Sequence, residues 1–430
     1  MKNKIAILLM IGMLLLLVGC NNQGNTNVKE ISSDFTVSNH IKSDYLYQQS
    51  STLLIKGKCE VGGTLIATLY SSIGVEVAKD SVVVGDTGTY EIVLNTPSGS
   101  YDEYKLEIKD YHNKYVKTFN NIIFGEVHLL LGDHLINSTW KTDTNNADET
   151  IYYLDHSKQG NEWEVINVSS DTDNFSFELY NILVSTSKYN DCPIGFVNVT
   201  FEKTLLEEWL PLEYANKSSS VISFLNSTGK YYENPYQLGQ MSYIANNLLS
   251  ELYNYSFSAI TLSSGVNEFK EFYGVRNSEN YYNAYAKMLL YVVRNIEDNF
   301  YHFNEFAMIQ TNSLDVTNIN VLRNIQSQVS NYSNKLKLIP TYDIVSTEEN
   351  TFNFLLANRY YDIVYGKKVI SEYANHFIDE SEHVVTVELS KSTLFDFNFE
   401  NISENQESPL IKFYFAIFLQ LQSISSIDIL

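Results

Sequence analysis

The chain has 430 residues and a formal net charge of -22, from 29 Lys and Arg against 51 Asp and Glu. A field of that sign repels nucleic acid and anionic lipid surfaces, so nucleic acid is not expected as a partner. The length allows a large core and more than one domain. With three cysteines, no Cys/His cluster and no HExxH pattern, no metal site and no cofactor is expected.

The N-terminus carries a targeting signal. Lys2 and Lys4 precede an apolar run over residues 5–18, of signal-peptide length and short for a membrane span. Leu17-Val18-Gly19-Cys20 matches a bacterial lipobox, which predicts removal of residues 1–19 and lipidation of Cys20. An ordinary secretory signal or an uncleaved anchor is the competing reading. Two acyl chains make a stable anchor, so the expected place is the extracytoplasmic face of a bacterial cell membrane. Loss of Lys2 and Lys4 takes the net charge to about -24. Residues 20–44 read as a tether, since residues 21–34 are polar and poor in large apolar groups.

Residues 45–120 read as a small β-sandwich. Strand candidates lie at 53–57, 64–70, 81–84, 90–94 and 104–108, separated by turn signals at Gly62-Gly63, Gly85-Asp86 and Pro97-Ser98-Gly99. Nothing in the spacing of Cys59 and Cys192 argues for pairing, and they read as two isolated thiols. The 32 Tyr and 23 Phe are numerous. Tyrosine stacks on sugar faces, although most such residues belong to core or ordinary surface.

Residues 121–380 read as an α/β domain with a parallel sheet. Its key stretch is 121–136, NIIFGEVHLLLGDHLI, an apolar run closed by Gly132. Such a run suits a strand buried on both faces of a parallel sheet. Function in such sheets lies just past the carboxyl ends of strands, which points to Asp133 and His134. A helix is expected over 175–186, then a second notable stretch over 193–210, PIGFVNVTFEKTLLEEWL. Helical spacing follows over 236–251 and 281–296, a strand and turn over 258–268, and further strands over 306–310 and 338–342.

The first stretch resembles the FGEVWLCSGQSNM block of the sialate O-acetylesterase family, which belongs to the SGNH hydrolases. Phe124, Gly125, Glu126, Val127, Leu129 and Gly132 match it without a gap. The second resembles the family's PIGLINSSWGGTPIEAW block through Pro193, Ile194, Gly195, Asn198, Thr204, Glu207 and Trp209. The resemblance implies an SGNH-hydrolase-like, flavodoxin-like core behind an all-β domain; as structure, an unrelated immunoglobulin-like spacer serves nearly as well for that domain. It also implies a serine nucleophile where this chain has His134, and oxyanion glycines where it has Glu202 and Lys203. The third block, GVLWYQGESN, aligns with residues 258–268 through Ala259, Ile260 and Gly265, and its oxyanion Asn falls on Glu268 unless a one-residue slip brings Asn267 there. Arg359 and Tyr365-Gly366 anchor the DIHP motif at 347–350, so the family's Asp falls on Thr347 and its His on Glu349.

A serine hydrolase needs a base within reach of its nucleophile and an acid to orient that base. The matching positions supply none of the three. The expectation is therefore a catalytically inactive glycan-binding or scaffolding protein, with Trp209 and tyrosines as stacking groups and a glycan or cell-surface polysaccharide as partner. The alternative is an active carbohydrate O-acetylesterase with relocated chemistry, drawing on Asp133, His134, Ser263 and Ser264; His128 on the same strand keeps it open. A purely structural lipoprotein is the third reading. Residues 381–430 return to β character at 383–389, 394–399 and 412–422, and read as a terminal β-unit.

Overall fold

A 17-residue strand, β8 (Val116–Gly132), joins the two parts of the fold. Its first half alternates exposed and half-buried residues, whereas Phe124 to Gly132 is buried throughout. That change follows the sequence, which passes from VKTFNN to the apolar run. The computed structural model describes residues 28–132, 150–156, 162–167, 172, 174–185, 192–201, 204–215, 218–227, 242–265, 279–311, 319–341, 344 and 349–366. The chain divides into two units, Met1–Ser392 and Thr393–Leu430. The expected terminal β-unit lies outside the described residues.

Before β8 the chain is all β. Strands β1 (Thr36–Val37), β3 (Thr52–Lys58) and β6 (Thr89–Asn95) form one antiparallel sheet. Strands β4 (Thr64–Ser71), β5 (Glu76–Val83) and β7 (Ser100–Asp110) form another antiparallel set, and β7 pairs with the first half of β8. In β6, Tyr90, Ile92 and Leu94 are buried while their neighbours are exposed, the period of two expected of a half-covered strand. Strand β2 (Leu46–Gln48) lies parallel to β8. The expected boundary at 120/121 falls inside β8, where the β7 pairing shifts register beside Asn121, a residue at φ +53°. An extra residue on one strand bends it there, and Asn tolerates the left-handed backbone.

The second half of β8 is the centre of a parallel sheet. It pairs with β11 (Ile194–Thr200) on one side and β12 (Ser256–Ser263) on the other, and β13 (His302–Ile309) and β14 (Leu336–Ile339) continue outward in parallel. These five strands read β11-β8-β12-β13-β14, the doubly wound order 2-1-3-4-5 with its switch point between β8 and β12. Strand β9 (Thr150–Asp155) adds in parallel beyond β11, and β10 (Glu164–Asn167) closes that edge in antiparallel fashion. The whole sheet is therefore mixed. The expected strand at 338–342 sits earlier, since Pro340 has no N–H to give a ladder.

Helices cover both faces. Helix α1 (Phe175–Ser185) starts at Asn174, whose Oδ1 accepts the Phe177 N–H at 2.8 Å. The short helices α2 (Leu206–Trp209), α3 (Leu212–Ala215) and α4 (Ser219–Ser227) follow β11. A π-helical turn (Ile244–Leu249) runs into α5 (Ser250–Leu252) and covers the described part of the helix expected at 236–251. Helix α6 (Glu279–Asn299) links β12 to β13, α7 (Ile319–Asn331) links β13 to β14, and α8 (Glu349–Tyr365) follows β14. Helices α1 and α8 share a core with Leu130, Phe196, Ile309 and Ile339. Leu129, Leu131, Val197, Ile260 and Met308 alternate with that set and are buried too, so the central parallel strands are covered on both faces. Cys59 and Cys192 are not joined in a disulfide. Among the described residues no helix is long and apolar enough to cross a membrane.

Candidate functional site

The strand register brings five carboxyl ends to one level. Gly132 pairs with Thr200 and with Ser263, Ser263 pairs with Ile309, and Ile309 pairs with Ile339. Gly132 has φ +117°, and a Cβ there would run into the Ser263 carbonyl. Only glycine lets the chain leave the sheet so close to its neighbour. The Gly132 carbonyl accepts the Phe201 N–H at 3.0 Å, which ties the exits of β8 and β11 together.

Three separate sequence blocks meet at this edge. A tight crevice at the switch point is lined by Gly132 of the first, by Thr204, Leu205, Leu206 and Trp209 of the second, and by Leu262, Ser263 and Ser264 of the third. Helix α2 is held by its own start, where Glu208 Oε1 accepts the Leu205 N–H at 3.2 Å. Trp209 is 3% exposed and meets Phe201 edge-on at 6.3 Å. It is therefore a packing residue here, with no open ring face for a sugar, contrary to the stacking role expected of it.

On the β12–β14 side, side chains seal the edge. The Ser264 carbonyl accepts Gln326 Nε2 at 2.7 Å and Thr311 Oγ1 at 2.9 Å. Gln326 Oε1 accepts the Thr311 N–H at 3.0 Å, and Arg323 Nε donates to the Thr311 carbonyl at 3.0 Å. Burial pulls the Arg323 pKa down. Thr341 Oγ1 donates to the Gln310 carbonyl at 3.0 Å. Gly265, at φ +123°, makes the turn, and a Cβ there would lie 2.5 Å from Thr311 Oγ1. This network was not anticipated from sequence. Its one signal was Gln326, a polar residue within the apolar stripe Leu322, Ile325 and Val329 of α7.

Of the residues singled out in sequence, Ser263 and Ser264 sit at this edge, 0% and 7% exposed. Ser264 Oγ lies 3.4 Å from the Tyr285 hydroxyl. Glu349 is the first residue of α8. Cys20, Asp133, His134, Glu202, Lys203, Glu268 and Thr347 lie outside the described residues. His128, four residues before Gly132 on β8, is fully buried and stacks on Phe196 at 5.4 Å. Neither ring nitrogen has a hydrogen-bond partner. Burial lowers its pKa to about 4, against the opposing pull of Glu126. It is a neutral core histidine well below the edge. No cluster of three metal-ligating side chains occurs among the described residues.

No protein-family model and no curated protein matches this chain. The fold is similar to the crystal structure of a carbohydrate acetylesterase from Xanthomonas citri, at TM-score 0.52 and 15% identity over 77% of this chain and 76% of that one. An acetylxylan esterase from Geobacillus stearothermophilus matches at TM-score 0.31 and 12% identity, over 55% of this chain and 93% of that one. At such identities the likeness is one of fold.

Proposed function

We propose that this chain is a lipid-anchored, extracytoplasmic protein on a sialate O-acetylesterase-like, SGNH-type frame, and that it binds a glycan or cell-surface polysaccharide without hydrolysing esters. On this reading residues 45–120 are the leading β-sandwich, 121–380 the flavodoxin-like core and 381–430 a β-rich terminal unit. One observation carries it: frame residues of three blocks meet at one crevice, whereas the positions aligned with the family's chemistry have lost it. His134 stands for the serine, Thr347 and Glu349 for the Asp and His, and Glu202, Lys203 and Glu268 for the oxyanion donors. A carboxylate beside a developing oxyanion opposes it. Ser263 and Ser264, the nearest hydroxyls in sequence terms, are enclosed and offer no open nucleophile.

The test is hydrolysis of an acetylated aryl ester by the chain starting after Cys20, followed by a glycan array. No turnover with retention of a carbohydrate supports the proposal. Turnover abolished by His134→Ala would make the chain an ester hydrolase with a non-standard site. Neither turnover nor retention would leave a scaffold role.

A further inference from the structure

The end of the β-rich part where the described chain begins carries exposed apolar side chains. Lys29 forms a bridge with Gly63, and Lys29 Nζ donates to the Val61 carbonyl at 2.8 Å. Val83 pairs with Thr64, whose carbonyl accepts the Tyr111 N–H at 2.9 Å. Val61, Val83 and Tyr111 therefore surround the chain's entry point, and they are 42%, 66% and 51% exposed. Ile73 and Val75 at the β4–β5 turn form a second exposed apolar group, 84% and 56% exposed, so the tether's point of entry is what singles out this one. Three of the acidic side chains near them are matched by lysines, Glu60 with Lys29 at 2.6 Å, Glu30 with Lys114 at 3.3 Å and Asp34 with Lys117 at 2.9 Å, while the exposed Asp86 forms no ion pair among the described residues. Elsewhere the excess of acid over base is large.

Eight residue steps separate Cys20 from Val28, a span of at most about 28 Å of extended chain. A lipid on Cys20 would hold this end, before any other part of the β-rich unit, near the headgroups. We propose that the Val61, Val83 and Tyr111 end rests on the bilayer surface, with the valines and the tyrosine ring at the interface. This rests on the lipidation of Cys20 proposed above. Tyrosine is favoured at such interfaces because its ring is apolar and its hydroxyl stays wet. Local pairing of three acids lowers the repulsion that the rest of the chain would suffer there. Strand β8 then leads from Val116 at this end to Gly132 at the crevice, a run of roughly 50 Å at strand rise. The crevice is thereby presented away from the membrane.

The experiment uses the full chain, lipidated in a bacterial host and reconstituted in phosphatidylcholine vesicles carrying brominated acyl chains, which quench nearby tryptophan. Val83→Trp adds a reporter at the proposed contact. Ile73→Trp adds one at the β4–β5 turn, 84% exposed at the far end of β4. The expected result is loss of most of the added emission for Val83→Trp and none for Ile73→Trp. Acyl mass on Cys20 with no quenching at Val83, or with equal quenching at Ile73, overturns this orientation and leaves the anchor standing. No acyl mass on Cys20 overturns the anchor and the orientation together.

Discussion

Gln49 holds Glu126 across the junction between the β-rich part and the parallel sheet: its Nε2 donates to Glu126 Oε2 at 3.1 Å. Gln49 Oε1 accepts the Gly99 N–H at 2.6 Å, and the other Glu126 oxygen accepts the Ser258 hydroxyl. A buried carboxylate is tolerated only when its oxygens are met in this way. Gln49→Ala removes one donor from Glu126 and strands the Gly99 N–H. The expected loss is about 2–4 kcal/mol, read from urea unfolding monitored by tryptophan fluorescence. An unchanged midpoint would show that the junction does not depend on this side chain.

His128 makes stability depend on pH. Its folded pKa of about 4 lies below the ordinary 6.5, so the unfolded chain binds the extra proton first. The stabilising contribution is complete above pH 6.5 and is lost as pH falls toward 4, to a total of about 3 kcal/mol. Urea midpoints at pH 7 and pH 5 measure this directly. In His128→Phe, which keeps a ring against Phe196, the slope between those values should flatten.

The Ser264-Gly265 turn depends on backbone freedom and on its clamp. Gly265→Ala forces a side chain into a positive φ and against Thr311, for an expected cost of about 2–3 kcal/mol. Gln326→Leu removes the bonds to the Ser264 carbonyl and to both the hydroxyl and the N–H of Thr311, at about 2–4 kcal/mol. Both act on one turn, so the double variant should lose less than the two effects added together. Full additivity in thermal unfolding would mean that the turn and the clamp are independent.

Placing a serine at position 134 should not create chemistry. His134→Ser supplies a hydroxyl, but on the alignment proposed above Thr347 and Glu349 stand where a sialate O-acetylesterase would have its acid and base. Without a base in reach the hydroxyl stays a weak nucleophile. Hydrolysis of an aryl acetate by His134→Ser should match that of the parent chain. A clear gain would mean that a base reaches this position from elsewhere in the fold.

Much of the fold was legible because it is written in local periods. The alternation of Tyr90, Ile92 and Leu94 marks a half-covered strand, and the apolar run of Val127 and Leu129 to Leu131, broken only by His128, marks a strand covered on both faces. Pro340 stops β14 at Ile339, inside the strand expected over 338–342. The bend at Asn121 was not legible, because it arises from register against β7 and not from any turn residue in β8 itself. The site was half legible. Gly132, Trp209 and Gly265 stood in recognisable blocks, but nothing local shows that Trp209 is enclosed by Phe201 or that Ser263 is sealed beneath its neighbours.

By itself the sequence marked the strands at 53–57, 64–70 and 90–94, the central run of β8 and the helices at 175–186 and 281–296, since side-chain period and backbone preference act within a few residues; β9, β10 and α7 were not foreseen. Only the tertiary structure decided that Glu126 meets Ser258, 132 positions away, and that Gln326 reaches back 62 positions to the Ser264 carbonyl. Such contacts form when strand order and register set separate segments side by side, and a polar group buried by that packing takes whichever partner the fold brings to it.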